Sequence, residues 1–107
     1  MSYSILPLAR ENDLNKILKN QRFSRENIHI LFLSLWDTFS ESLREDLLSK
    51  YSESGEYGQK VYLVDSFNMP HSFVIFNTTK APSLVSLVKG KTLIEDYLPR
   101  IYKKLKL

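Results

Sequence analysis

The side chains of this chain that could take part in chemistry lie in one short segment, and none of them is a thiol. Asp37 and Ser40 supply a carboxylate and a hydroxyl just after the apolar run 28–36. No histidine is near them in sequence, so no nucleophile–base–acid signature is present. His29 and His71 are not spaced as a metal pair, and the 107 residues include no cysteine. We therefore expect no metal, no cofactor and no disulfide.

The segment around Asp37 and Ser40 is predicted to be the junction between a buried strand and a helix. Residues 28–36 are almost continuously apolar, which is typical of a strand covered on both faces of a largely parallel sheet. The patterns Thr38-x-x-Glu41 and Ser42-x-x-Glu45 both fit a capping box, so the sequence leaves two registers open for the start of the helix. Its predicted buried stripe consists of Leu43, Leu47, Leu48 and Tyr51.

The rest of the chain predicts alternating strands and helices. Further strands are expected over 3–6, 60–65, 83–88 and 92–95, with helices over 11–20 and from Pro99 onwards. Lys89-Gly90-Lys91 reads as the turn of an antiparallel hairpin. Strand, helix and strand in this order predict a right-handed parallel crossover.

Composition is typical of one globular domain, residues 1–107. Hydrophobic residues make up 43% and charged residues 25% of the chain, which is enough for a core of its own. The apolar run at 28–36 is too short to span a bilayer, and the first residues do not look like a secretory signal. We expect no membrane association and a cytoplasmic location.

The pattern of elements, together with several residues, resembles the thioredoxin family. In that family a buried strand leads to a tryptophan, a second aromatic residue and then Cys-x-x-Cys at the start of a long helix. Here Trp36 and Phe39 match the aromatic residues, while Ser40 and Leu43 stand at the two cysteine positions. About forty residues later, Pro82 matches the cis-proline of the family and precedes an apolar strand.

The resemblance implies an α/β thioredoxin-like fold. It would have a central mixed sheet, with parallel strands plus a C-terminal antiparallel hairpin, flanked by helices on both faces. Residues 72–76 favour a strand by propensity, but the resemblance implies a short helix there, and we follow the resemblance.

The same resemblance implies that the usual reaction is lost. Ser34 stands where many thioredoxins keep a buried aspartate that assists proton transfer. Serine and leucine cannot form the mixed disulfide on which exchange depends. The chain is therefore expected to be redox-inactive and not a disulfide oxidoreductase.

The residues that this chain keeps around the two cysteine positions predict binding rather than catalysis. We expect a groove that binds another protein and acts as an adaptor surface, formed by Trp36, Phe39, Ser40, Ala81 and Pro82. Each residue also has a structural interpretation, since the aromatic residues could complete the core, Ser40 could cap the helix and Pro82 could serve only to shape the chain.

Two other functions stay open. Ser40 could orient the thiol of a glutathione-like ligand, as a hydroxyl does in glutathione transferases, which carry a large helical domain that this chain lacks. The basic end formed by Arg100, Lys103, Lys104 and Lys106 could contact nucleic acid. Because basic residues also complement the negative end of a helix and the net charge is only +3, nucleic-acid binding is not expected. Neither the partner nor the oligomeric state follows from the sequence.

Overall fold

Five strands and three helices make up the part of the chain that the computed structural model describes, residues 3–8, 10–24, 27–34, 37–51, 59–65, 82–88 and 91–107. The strands are β1 (Tyr3–Pro7), β2 (Ile28–Leu33), β3 (Gln59–Asp65), β4 (Ser83–Val88) and β5 (Lys91–Glu95). The helices are α1 (Glu11–Ser24), α2 (Thr38–Lys50) and α3 (Leu98–Lys104). The short helix predicted over 72–76 lies outside the described residues.

The strands form one mixed sheet in the order β1-β3-β2-β4-β5. Strands β1 and β2 both run parallel to β3. Strand β4 is antiparallel to β2, and β5 is antiparallel to β4. The arrangement confirms the predicted mixed sheet with a C-terminal antiparallel strand pair, and it places β2 in the centre.

The predicted ends of β1, β2 and α1 differ from the observed ones, while β3, β5 and α3 each begin one residue earlier than predicted. Strand β2 ends at Leu33, three residues before the predicted end, and the Asp37 N–H donates to the Ser34 carbonyl over 3.2 Å. Helix α1 continues to Ser24, since residues 21–24 include no glycine or proline that would stop it. Strand β1 includes Pro7, which an outer strand tolerates because it needs donors on one side only.

Two apolar clusters cover the two faces of the sheet, and β2 contributes to both. Leu31 and Leu33 pack with the buried side of α2 and α3, whereas Ile30 and Phe32 pack with Leu14 of α1. Residues on a strand alternate between faces, so an almost continuous apolar strand is what two covered faces require. The prediction that β2 is buried on both faces is confirmed.

The end of α3 is tied to β1 and α2 by side chains that donate to its last carbonyls. The Tyr51 hydroxyl donates to the Leu105 carbonyl over 2.8 Å, and the Tyr3 hydroxyl donates to the Lys104 carbonyl over 3.0 Å. The Lys50 ammonium donates to the carbonyl of Lys106. Burial raises the pKa of both Tyr51 and Tyr3, which keeps both phenols protonated as donors. These bonds satisfy carbonyls that a helix end leaves without partners.

Tyr102 on α3 makes the folding stability depend on pH in the alkaline range. Its hydroxyl donates to Asp46 Oδ2 over 2.7 Å, and this bond, together with burial and the carboxylate charge, raises the pKa of Tyr102 to about 12. A raised pKa in the folded state stabilises the protein below the ordinary phenol value of 10.0, and this stabilisation is lost as the pH rises towards 12. We expect the free energy of unfolding, measured by denaturant titration, to fall across that window.

The substitution Tyr102→Phe isolates this contribution from that of the other tyrosines. The difference in unfolding free energy between the wild type and Tyr102→Phe should be largest at neutral pH and shrink above pH 10.0. Stability curves that stay parallel from neutral to alkaline pH would contradict the assignment.

Candidate functional site

Asp37 caps the start of α2 and organises the candidate site. Its backbone is extended, with φ −107° and ψ 120°, and its carboxylate accepts from the N–H groups of Phe39 and Ser40, each over 3.3 Å. The N-cap is therefore Asp37, and neither Thr38 nor Ser42 provides the cap as the two capping-box registers required. Aspartate is among the preferred N-cap residues, so its place before a helical pattern was the signal available in the sequence.

Ser40 is a buried partner of this cap. Its hydroxyl donates to Asp37 Oδ2 over 3.0 Å, and only 1% of the residue is exposed. Ser40 is therefore not the helix cap, as one interpretation of the sequence had it. It supports the cap by donating to Asp37. Leu43, at the other cysteine position, is 0% exposed and belongs to the core. The two residues that the resemblance matches to the cysteines, Ser40 and Leu43, both make structural contacts.

Phe39 is the exposed member of the candidate groove. Its side chain lies in the first turn of α2 and the residue is 63% exposed. The alternative that Phe39 completes the core is therefore excluded. A large aromatic ring held on a capped helix end is the kind of side chain that anchors protein interfaces.

Pro82 is buried and, like the helix start that carries Phe39, lies near the carboxyl end of β2. The pairing of Ser83 with Phe32 places the residue before β4 beside the carboxyl end of β2, and α2 begins shortly after that same end. Trp36 and Ala81 lie outside the described residues, and so does the peptide bond expected to be cis. The groove of five residues therefore stays a prediction. Of its members, Phe39 and Pro82 lie near the carboxyl end of β2.

A cavity of about 270 Å³ opens behind the start of α2. It lies where β1, β2 and β3 end, and its lining includes aliphatic side chains together with Ser34 and Ser40. Charged residues of both signs, Glu41, Arg44 and Asp65, line the remaining wall. Sequence reasoning did not find this cavity, because its walls come from four separate elements.

The basic residues at the end of the chain are exposed but not all free of intramolecular contacts. Arg100 Nε lies 3.8 Å from Glu95 Oε1, and its guanidinium lies 5.9 Å from the centre of the Tyr97 ring. The side chains of Lys103, Lys104 and Lys106 are exposed around the end of α3. Three cations at a helix C-terminus complement its dipole, which is a structural role.

The described residues contain neither a metal-binding cluster nor a membrane-spanning helix. Within the ranges described above, no group of three or more histidine, cysteine, aspartate or glutamate residues is arranged to hold a metal ion. In the same ranges, no helix combines the length and the apolar character that crossing a bilayer demands.

Solved structures of thioredoxins share this architecture. The thioredoxin NaTrxh from Nicotiana alata superposes with a TM-score of 0.76 at 12% identity, over 99% of this chain and 93% of that one. A thioredoxin from Schistosoma mansoni gives 0.72 at 14% identity, over 96% and 94% of the two chains. The protein Trxlp from Edwardsiella tarda gives 0.68 at 11% identity, over 95% and 98%. At such identities the likeness concerns the fold alone.

Sequence comparison adds no closer relationship. No family model matches the chain, and no curated protein matches it by sequence. The three-dimensional likeness covers nearly the whole chain, while the residues that define thioredoxin chemistry are absent.

Proposed function

This chain has the thioredoxin fold but no cysteine, and from that premise we propose that it is a redox-inactive module that binds another protein through the exposed start of α2. The observation that carries the proposal is Phe39, a phenylalanine that is 63% exposed on the first turn of a capped helix. A cytoplasmic setting and an adaptor role belong to the same proposal.

The absence of thiols supports a binding role over an exchange reaction. Disulfide exchange proceeds by attack of a thiolate, and a hydroxyl has no accessible anion near neutral pH. Ser40 and Leu43 replace the two sulfurs, and neither has a group that could be oxidised or reduced in such a cycle. The chain should be inactive in any assay that measures reduction of a protein disulfide.

The contacts of Ser40 argue against a glutathione-dependent enzyme. The Ser40 hydroxyl and the N–H groups of Phe39 and Ser40 all donate to the Asp37 carboxylate. These are the donors that would otherwise stabilise a thiolate at the start of the helix. A negative charge already occupies that position, so a second anion would meet repulsion and no free donor from this set.

The geometry at the helix start supports Phe39 as a binding anchor. Asp37 satisfies the first turn of α2, and Ser40 is buried beneath it, so the turn that carries Phe39 is fixed before a partner arrives. A preorganised aromatic side chain loses little conformational entropy on binding. Truncating such an anchor is expected to cost about 1.4 kcal/mol or more, which corresponds to at least tenfold in affinity.

A quantitative affinity capture tests the proposal. The wild type, Phe39→Ser and Tyr97→Ser are used as baits, since Tyr97 is similarly exposed at 59% but lies far along the chain, before α3. Partners bound at the proposed site should be retained by the wild type and by Tyr97→Ser and depleted about tenfold with Phe39→Ser. Retention of every partner by Phe39→Ser would exclude the start of α2 as the binding surface.

A further inference from the structure

Strand β5 is an outer strand with little cover. It pairs with β4 and is the last strand in the order of the described sheet. The residues from Lys91 to Ile94 are all exposed, which is unusual for a strand of an α/β domain. An outer strand also leaves alternate backbone N–H and C=O groups unpaired, and these can accept another strand.

The large apolar side chains on the surface are concentrated at this edge. Among the described residues, the exposed large hydrophobic side chains are Phe39 and three at or just after β5, namely Leu93 at 48%, Ile94 at 50% and Tyr97 at 59%. Leu93 pairs with Ser86 and Ile94 with Val85, so the two aliphatic side chains lie on opposite faces of the sheet. An edge that is apolar on both faces is suited to continuing the sheet.

The sequence of β5, Lys91-Thr92-Leu93-Ile94-Glu95, is complementary to itself when two copies run antiparallel. A twofold axis at Leu93 places Lys91 opposite Glu95 of the second copy, and Glu95 opposite Lys91 of that copy. The two Leu93 side chains then face each other across the axis. We propose that β5 pairs with β5 of a second copy of this chain in this register and so joins two sheets into one.

The state of Glu95 supports a charged partner at this position. Its Oε1 atom is buried and accepts no hydrogen bond in the described part of the chain. Arg100 Nε lies 3.8 Å from that atom, which is beyond hydrogen-bonding distance. The Glu95 carboxylate is therefore held by one long ion pair with Arg100, and the Lys91 ammonium of a second copy would bring a further positive charge beside it.

Charge complementarity favours a second copy over an unrelated strand. A lysine on an outer strand normally discourages pairing with other chains. In β5 the positive charge of Lys91 lies at one end of the strand and the negative charge of Glu95 at the other. A partner strand attracts both charges only if it carries the same two charges and runs antiparallel, as a second copy of β5 does. The contact is short, and we expect a weak dimer with a dissociation constant on the order of 100 µM.

Sedimentation equilibrium with two charge-reversal variants tests the register. Lys91→Glu gives β5 two carboxylates, and Glu95→Lys gives it two ammonium groups. Each variant alone should dimerise at least about tenfold more weakly than the wild type, because like charges oppose each other at both ends. An equimolar mixture should recover the wild-type affinity, since every carboxylate then faces an ammonium group. Circular dichroism confirms that each variant is folded.

Two further variants separate this edge from the protein-binding surface. Leu93→Asp places like charges on the twofold axis and should abolish dimerisation, whereas Phe39→Ser should leave it unchanged. A wild type that remains monomeric up to about 1 mM would overturn the proposal. So would a dimer that survives Leu93→Asp, a dimer lost with Phe39→Ser, or a mixture of the charge variants that fails to associate. If only the capture experiment with Phe39→Ser failed, the pairing of β5 would stand.

Discussion

Replacing Leu43 with alanine is expected to lower the free energy of unfolding by about 2–5 kcal/mol. Leu43 is 0% exposed and packs in the cluster between the sheet, α2 and α3. Truncation removes buried methyl groups and leaves a cavity that the surrounding leucines cannot fill without strain. For a domain whose total stability is about 5–15 kcal/mol, this is a large fraction. Denaturant unfolding followed by circular dichroism measures the loss.

The matched control for Leu43→Ala is Glu45→Ala in the same helix. Glu45 is exposed, so its replacement should change the unfolding free energy by less than about 0.5 kcal/mol. Equal stability of Leu43→Ala and the wild type would mean that the second cysteine position is not part of the core. It would also contradict the interpretation that Leu43 contributes a core contact where thioredoxins have a reactive cysteine.

Asp37→Ala is expected to cost about 2–3 kcal/mol, which is more than the usual loss of a helix cap. The substitution removes the acceptor for the N–H groups of Phe39 and Ser40 and also leaves the buried Ser40 hydroxyl without this partner. An unsatisfied buried donor is expensive because it has lost water as well. Thermal and denaturant unfolding measure the effect.

Asp37→Asn distinguishes the cap from other roles of the carboxylate. Asparagine keeps one acceptor oxygen at the N-cap and replaces the other with an NH2 group, so only part of the lost stability should return. A loss as large as that of Asp37→Ala would show that a single acceptor oxygen is not enough and that the start of α2 requires the full carboxylate.

The sheet could be predicted because its strands are marked by composition. Strand β2 is almost continuously apolar, and the structure buries it on both faces as predicted. The start of α2 was harder, since Thr38 and Ser42 both precede a glutamate at the right spacing while the cap is Asp37. Which of several adjacent polar residues turns its side chain towards the first N–H groups depends on how the preceding strand ends.

The candidate site was only partly accessible to sequence reasoning. An aromatic residue just after a buried strand can face the core or the solvent, and the 63% exposure of Phe39 results from the rotation of α2 on the sheet. Ser40, one residue later, is turned inward by the same rotation. Trp36 and Ala81 were predicted as neighbours of this site, and that part of the groove stays a prediction.

The order of the strands also has a kinetic consequence. Strand β1 pairs only with β3 in the described sheet, and its first pair joins Tyr3 with Gln59, so a long stretch of chain must close before β1 can dock. Strand β2 lies between β3 and β4, and its pairing with β3 closes a shorter stretch of chain, from Ile28 to Lys60, so the β2–β3 pair can assemble first. Slow amide hydrogen exchange should therefore be concentrated in β2. The amides of β1 and β5 should exchange faster, through local unfolding that leaves the centre of the sheet intact.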